Sequence, residues 1–164
     1  MKEIHFAPNR CLGCEECIEA CAKAHGWVPR AFVEIVDGYF PIPMRCYQCE
    51  DAPCKAACPS EAISRNEFGA VVVDEDKCIG CGTCVQVCPF GVPHLSPTTG
   101  KIVKCDLCTD KLAEGEEPVC VAQCPKDALE FVERDEPLQK RRQRVARHIK
   151  TAVSHDGSLD ARKI

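Results

Sequence analysis

Apolar positions in this chain come in short bursts separated by turn residues. Residues 61–65 and 70–74 flank Asn66-Glu67-Phe68-Gly69, the pattern of a strand, a tight turn and a return strand. Residues 92–95 and 101–104 flank Ser96-Pro97-Thr98-Thr99-Gly100 in the same way. Residues 31–36 and 128–132 predict two more short strands. Towards the C-terminus the period changes, and Leu138, Val145, Ile149 and Ala152 or Val153 fall on one face of a helix. No stretch approaches the roughly 18 consecutive apolar residues of a membrane span, so no direct span is expected.

Elements this short need something besides apolar burial to hold them. The hydrophobic fraction of 45% includes 16 cysteines in 164 residues, and only six Phe, two Tyr and one Trp are aromatic. Such a composition points to covalent or metal staples and argues against a large apolar substrate pocket. The length allows one compact unit or two very small ones. A secreted disulfide scaffold is one way to use so much cysteine. However, Met1-Lys2-Glu3-Ile4-His5 leads into no apolar export segment, and no twin-Arg signal stands at the N-terminus. The expectation is a reducing, cytoplasmic setting, where cysteine spacing means metal.

The cysteines fall into four groups of four: Cys11, Cys14, Cys17, Cys21; Cys46, Cys49, Cys54, Cys58; Cys78, Cys81, Cys84, Cys88; and Cys105, Cys108, Cys120, Cys124. Groups one and three follow C-x2-C-x2-C-x3-C without error. Group two widens its second gap to four residues and group four to eleven, and Pro59, Pro89 and Pro125 follow the last cysteine of three groups. This is the bacterial ferredoxin run. Three thiolates on a tight loop face one 4Fe-4S cluster. The fourth, expected to start a helix, points away and serves the other cluster of a pair, so the groups work in twos. Zinc sites use separated pairs and four ligands in all, which quadruplets ending in Cys-Pro do not fit. Each group is expected on a loop and short helix between strands, the β-α-β arrangement of a two-cluster ferredoxin present twice over.

The chain resembles the four-cluster electron-transfer subunits of molybdenum and tungsten oxidoreductases, the dimethyl sulfoxide reductase iron-sulfur subunit family. Relatives serve nitrate and polysulfide reductases, formate dehydrogenases, aldehyde oxidoreductases and some hydrogenases. The residues that carry the resemblance are Cys46-Tyr47-Gln48-Cys49 with Pro53-Cys54 and Cys58-Pro59; Cys78-Ile79-Gly80-Cys81-Gly82-Thr83-Cys84; and Cys105-Asp106-Leu107-Cys108 with Gly115, Pro118 and Cys120. It covers roughly residues 3 to 133.

The resemblance implies an α+β fold of two interleaved bacterial two-cluster ferredoxin-like (βαβ) units, stapled by clusters, with a C-terminal basic helix. Residues 1–45 with 92–133 form one unit, 46–91 the other, and 134–164 a basic tail. It implies four 4Fe-4S clusters. Cys11, Cys14, Cys17 and Cys124 hold one, and Cys105, Cys108, Cys120 and Cys21 its neighbour. Cys46, Cys49, Cys54 and Cys88 hold a third, and Cys78, Cys81, Cys84 and Cys58 the fourth. The family sets them in a line with the Cys11 cluster nearest the catalytic subunit.

Charge adds a second feature. Residues 1–136 carry 13 Lys+Arg against 23 Asp+Glu, whereas residues 137–164 carry 8 against 2. Each oxidised cluster with its thiolates adds a formal charge of about −2, deepening the contrast. The basic tail reads as a docking helix for an acidic protein face, the partner's or another copy's; as a solvated helix end; or, least readily, as a nucleic-acid contact. A basic residue also precedes the first cysteine of every group: Arg10, Arg45, Lys77 and Lys104. They compensate cluster charge and favour the reduced form, or they are ordinary exposed side chains at strand ends. His5, His25, His94, His148 and His155 are expected to be structural or solvated, since sixteen cysteines fill sixteen ligand positions.

Function divides into four readings: an electron-transfer subunit without chemistry of its own, a free polyferredoxin, an enzyme and, least readily, an interaction-only zinc module. With four cysteines at every cluster no iron is left open to substrate, which disfavours the enzyme. The tail and the long group-four loop favour the subunit over the free carrier. The partner expected is a molybdenum or tungsten pterin enzyme, with an aldehyde oxidoreductase first. A hydrogenase or carbon monoxide dehydrogenase is the alternative.

Overall fold

Asn66 shows how these short strands are made. Its Oδ1 accepts hydrogen bonds from the backbone N–H of Phe68 and Ala70 at 3.1 and 2.9 Å, closing the turn between β4 (Ile63–Arg65) and β5 (Val71–Val73). The strands pair antiparallel, Ile63 opposite Val73 and Arg65 opposite Val71. β6 (His94–Leu95) and β7 (Ile102–Val103) pair antiparallel as well, with Ser96 accepting from Thr99 N–H across the turn. The computed structural model describes residues 2–152, which divide into two compact units between Phe131 and Val132.

Both expected hairpins are present, with strands shorter than the apolar runs. The strand expected at 31–36 is β2 (Phe32–Val36). Its antiparallel partner β3 (Phe40–Met44) is an addition to the expected strands, and it carries Pro41 and Pro43, which are tolerated only at a sheet edge. The sheet has two strands only, so the prolines sit on an edge. The turn is built by Asp37 and Gly38, both at positive φ, an Asp-Gly signal for a hairpin. β1 (Lys2–Phe6) was also not expected; it pairs with β8 (Leu129–Glu133), at the opposite end of the body's sequence.

Along the chain every cysteine group's helix lies between two strands, the expected β-α-β order. All three sheets whose registers are described are antiparallel hairpins, so the strands flanking a helix belong to different sheets. A two-stranded ribbon needs no crossover, and the short helices alternate with ribbons along the chain. These helices are α1 (Glu16–Ala24), α2 (Pro53–Ala56), α3 (Thr83–Val87), α4 (Thr109–Ala113) and α5 (Val119–Ala122). In the second unit α6 (Glu136–Ala152) is a longer helix, on which Leu138 and Val145 are exposed. Val153, also assigned to its apolar face, lies outside the described residues, as do the side chains of Ile149 and Ala152.

Apolar burial is thin. One cluster gathers Ala52, Ala62, Ile63, Val71 and Ile102 around Cys54, Cys78 and Cys84; a second gathers Ile4, Ala70, Leu107 and Leu129. The largest fully buried side chains are Val71, Val92 and Pro118, none aromatic.

Candidate metal centres

The residue before the second cysteine of every group is in the left-handed conformation: Gly13 (φ 69°), Gln48 (50°), Gly80 (68°) and Leu107 (64°). This kink folds each loop back so that its first thiols share one side. Gln48 and Leu107 bear the side-chain cost of that conformation, and tertiary contacts hold them there. Gln48 is buried; its Oε1 accepts from Val71 N–H at 2.7 Å and its Nε2 donates to the Cys105 carbonyl at 3.3 Å. Leu107 packs in the Ile4 cluster.

Gly80 is required for a second reason, since a Cβ there would lie 2.3 Å from the Gly100 carbonyl oxygen, whereas one at Gly82 would meet nothing. Gly82→Ala is therefore expected to cost about 1 kcal/mol, the left-handed penalty alone. Gly80→Ala should exceed about 3 kcal/mol, because the hairpin must also move. Thermal unfolding of the iron-loaded variants compares the two.

The helices begin at the third cysteine of three groups, not the fourth as the sequence suggested. Cys17, Cys54 and Cys84 lie in the first turn of α1, α2 and α3, behind left-handed caps at Glu15, Ala52 and Gly82. Cys120 sits likewise in α5, behind Pro118. The fourth cysteine comes one turn later, at or beyond the helix end except for Cys21, which stays inside α1. A full turn of rise separates third and fourth thiols and directs them to different sites. The helices that carry them pack in two pairs, α1 on α5 and α2 on α3.

Three cavities are lined accordingly. Cys11, Cys14, Cys17 and Cys124 line one, with apolar walls from Phe6, Leu12, Val33 and Leu129. Cys46, Cys49, Cys54 and Cys88 line a second, and Cys78, Cys81, Cys84 and Cys58 a third. The remaining four converge as well. Burial pushes the Cys108 thiol up to about 12, and Cys105 and Cys21 add to the rise; burial also raises Cys120, with Cys105, Cys108 and Cys21 adding again. Burial takes Cys17 up to about 11, helped by Cys124, Cys14 and Cys11. Cys81, by contrast, is exposed and drawn down by the Thr83 hydroxyl 3.4 Å away.

The donor set tests which group fits. A single tetrahedral ion with bonds of about 2.3 Å needs its sulfurs within twice that of one another. Among the described residues, the trio of His, Cys, Asp or Glu drawn within 4.8 Å is His25, Asp106 and Cys108, and no cysteine quartet is that tight. Four thiols spread around an apolar cavity fit a polynuclear cluster. Backbone N–H groups already point at the sulfurs: Ala128 to Cys124 at 3.2 Å, Arg30 to Cys21 at 3.4 Å and Ile102 to Cys78 at 3.5 Å. Such hydrogen bonds steady the anionic form of a sulfur ligand.

A polar shell that the sequence reading missed surrounds Cys108. His25 Nε2 lies 3.8 Å from its Sγ and 3.9 Å from Asp106 Oδ1, and Arg30 pairs with the other oxygen of Asp106. Burial, reinforced by Arg30, holds His25 below its ordinary value. No spacing rule joins these residues, because Arg30 and Asp106 are 76 positions apart.

The four basic residues before the first cysteines divide into two kinds. The side chains of Arg10 and Lys77 are 41% and 63% exposed and pair with Glu130 and Asp74. Arg45 and Lys104 are only 5% and 3% exposed. The reading as exposed strand-end side chains therefore fails for these two.

The 4Fe-4S dicluster domain family matches residues 36–134, and a 4Fe-4S binding domain matches residues 8–24. Among similar proteins, the thiosulfate reductase electron transfer subunit PhsB of Salmonella typhi is 41% identical over 142 residues, covering 78% of this chain and 73% of its own. The B component of the anaerobic dimethyl sulfoxide reductase of Escherichia coli is 39% identical over 151 residues, covering 80% and 73%. The B component of the polysulfide reductase of Wolinella succinogenes is 37% identical over 146 residues, covering 80% and 76%. No helix among the described residues is long and apolar enough to cross a membrane.

Proposed function

This chain belongs to the 4Fe-4S dicluster domain family, and on that premise we propose that it is a non-catalytic electron-transfer subunit carrying four 4Fe-4S clusters. It relays electrons between a molybdenum- or tungsten-pterin catalytic subunit and another redox partner. When bound, each cluster takes up and returns one electron at iron. The chain's own residues supply the sulfur ligands, the dry walls and the spacing.

The observation that carries this reading is the sorting of the cysteines. Each quartet joins three thiols of one group to the last thiol of another, as the three lined cavities and the mutual influence of Cys105, Cys108, Cys120 and Cys21 support. With α1 on α5 and α2 on α3, the sorting supports two interleaved units, residues 1–45 with 92–133 and residues 46–91. It also supports a line of sites. α1 carries both Cys17 and Cys21, the Cys105 thiol feels Cys46, and the Cys84 thiol feels Cys54. The order runs from the Cys11 site through the Cys105 and Cys46 sites to the Cys78 site.

The relatives' names concern thiosulfate, dimethyl sulfoxide and polysulfide. A reductase of a small sulfur compound is thus the partner we place first, ahead of an aldehyde oxidoreductase, a hydrogenase or a carbon monoxide dehydrogenase. The setting is the reducing cytoplasm. Residues 134–164 act as a docking element, by charge attraction and by an apolar stripe that includes Leu138 and Val145.

Copurification tests the reading. The full chain should elute with a larger pterin-containing subunit, and a chain stopped after Asp135 should keep its iron and visible spectrum yet lose that association. A full chain that runs alone is a free polyferredoxin, and a truncated chain that assembles equally well at every salt concentration has a merely solvated tail.

A further inference from the structure

Among the described residues Arg45 and Lys104 are buried cations without a paired anion. Arg45 donates to the carbonyls of Ile4 and Pro43, the latter at 3.4 Å, and lies 5.8 Å from the Tyr47 ring. Lys104 Nζ donates to the carbonyls of Val71 and Cys105, the latter at 2.8 Å. Among the described residues neither has a carboxylate within ion-pairing distance, whereas the equivalent Arg10 and Lys77 each have one. Carbonyl dipoles soften the cost of burying a charge but do not cancel it, and buried charges are ordinarily paired. The nearest acid to Cys105 and Cys108, Asp106, is already matched by Arg30.

Their positions show what is missing. Lys104 lines the cavity of Cys46, Cys49, Cys54 and Cys88, and its ammonium also holds the carbonyl of Cys105, a member of the next quartet. It stands between the two central sites. Arg45 directly precedes Cys46, and its charge reaches the Cys120 thiol, while that of Lys104 reaches both Cys54 and Cys105. The cations at the two end sites are less buried: Arg10 and Lys77 are exposed and paired, Lys126 lines the rim of the Cys11 cavity, and Lys101, which donates to the Cys78 carbonyl, is half-buried.

We propose that Arg45 and Lys104 are internal counter-cations of the two central clusters, and that they make these two easier to reduce than they would be without the charges. The inference rests on the four-cluster relay reading above. Gaining an electron makes a cluster more anionic, and a fixed cation in a dry site favours that state far more than an exposed one does. The central pair then forms an electron-holding stretch inside the line. A purely structural role, tying strands together through carbonyls, would require the hydrogen bonds but not the charge.

Redox titration of the anaerobically purified full chain, followed by paramagnetic resonance with iron analysis in parallel, separates the two roles. Lys104→Gln should lower the midpoint of both central clusters by at least a tenfold change in the reduction equilibrium, about 59 mV for one electron. Arg45→Gln should lower mainly the cluster of Cys105, Cys108, Cys120 and Cys21. Lys104→Arg should stay close to the parent, and Lys77→Gln should leave the Cys78 cluster unshifted. Loss of central iron in Lys104→Gln that Lys104→Arg restores also supports the inference, because charge is what was restored. Unshifted midpoints in an iron-replete Lys104→Gln, or equal loss of central iron in Gln and Arg variants, overturns it. Failure of the chain to associate with a catalytic subunit would defeat the relay reading and leave these shifts intact.

Discussion

Stripped of iron, residues 2–131 are expected to lose their fold. Four of the five helices in this body have four or five residues, far below the length that sustains a helix alone. Its sheets have two strands each, marginal without further support. The fully buried side chains reach only the size of Val71, Val92 and Pro118. What joins the segments is sulfur: the Cys11 cavity takes its fourth thiol from Cys124, at the other end of the body. Iron binding is then most of the folding free energy. Anaerobic analysis should find about sixteen iron atoms per chain. Chelation should abolish the body's protection from proteases together with its visible absorbance.

Acid should act in the same direction as the chelator. Burial holds Cys17 and Cys105 up at about 11 and Cys108 at about 12, so these thiols keep their protons through the neutral range. Iron must displace those protons. Its affinity therefore rises with pH across the whole range below these values and falls steadily on acidification. An iron-free protein that keeps its protease resistance, or a loaded one with about eight irons, would show that the staples are not what holds this body.

The second large effect is crossed loss. Cys124→Ser should remove the cluster of Cys11, Cys14 and Cys17, about four of sixteen irons, and spare that of Cys105, Cys108 and Cys120, although Cys124 belongs to the latter's sequence group. Cys21→Ser should do the reverse. Cys124 lines the Cys11 cavity and raises the Cys17 thiol; Cys21 raises Cys108 and Cys120. α1 packs on α5, and the expectation is that each group delivers its last thiol to its neighbour's loop. Paramagnetic resonance of the two reduced variants tells the signals apart. Loss confined to the mutated cysteine's own group would mean that the pairing is wrong.

The chemistry of this protein was legible in its sequence because cluster ligation is encoded locally. A tight loop needs cysteines at fixed short intervals, and Cys78-Ile79-Gly80-Cys81-Gly82-Thr83-Cys84 displays them without any tertiary information. The hairpins around Asn66 and Ser96 were legible for the same reason, since their turns are closed by side chains within four residues. Asp37-Gly38 is an equally local signal, but Pro41 and Pro43 in β3 are compatible with a strand only at an edge, which sequence does not reveal. Nothing local marked β1, whose partner lies at the far end of the body.

Burial was the property that only the tertiary structure decided. Arg10, Arg45, Lys77 and Lys104 are one pattern in the sequence, each a basic residue before a first cysteine. Two end in solvent beside a carboxylate, and two end in the interior on backbone carbonyls. The difference arises from which strands close over them: Ile4 of β1 and Pro43 of β3 over Arg45, Val71 of β5 over Lys104. An identical neighbour in sequence thus becomes a screened surface charge or an internal field according to contacts made dozens of residues away, because a charge acts through the medium around it and that medium is assembled only when the chain folds.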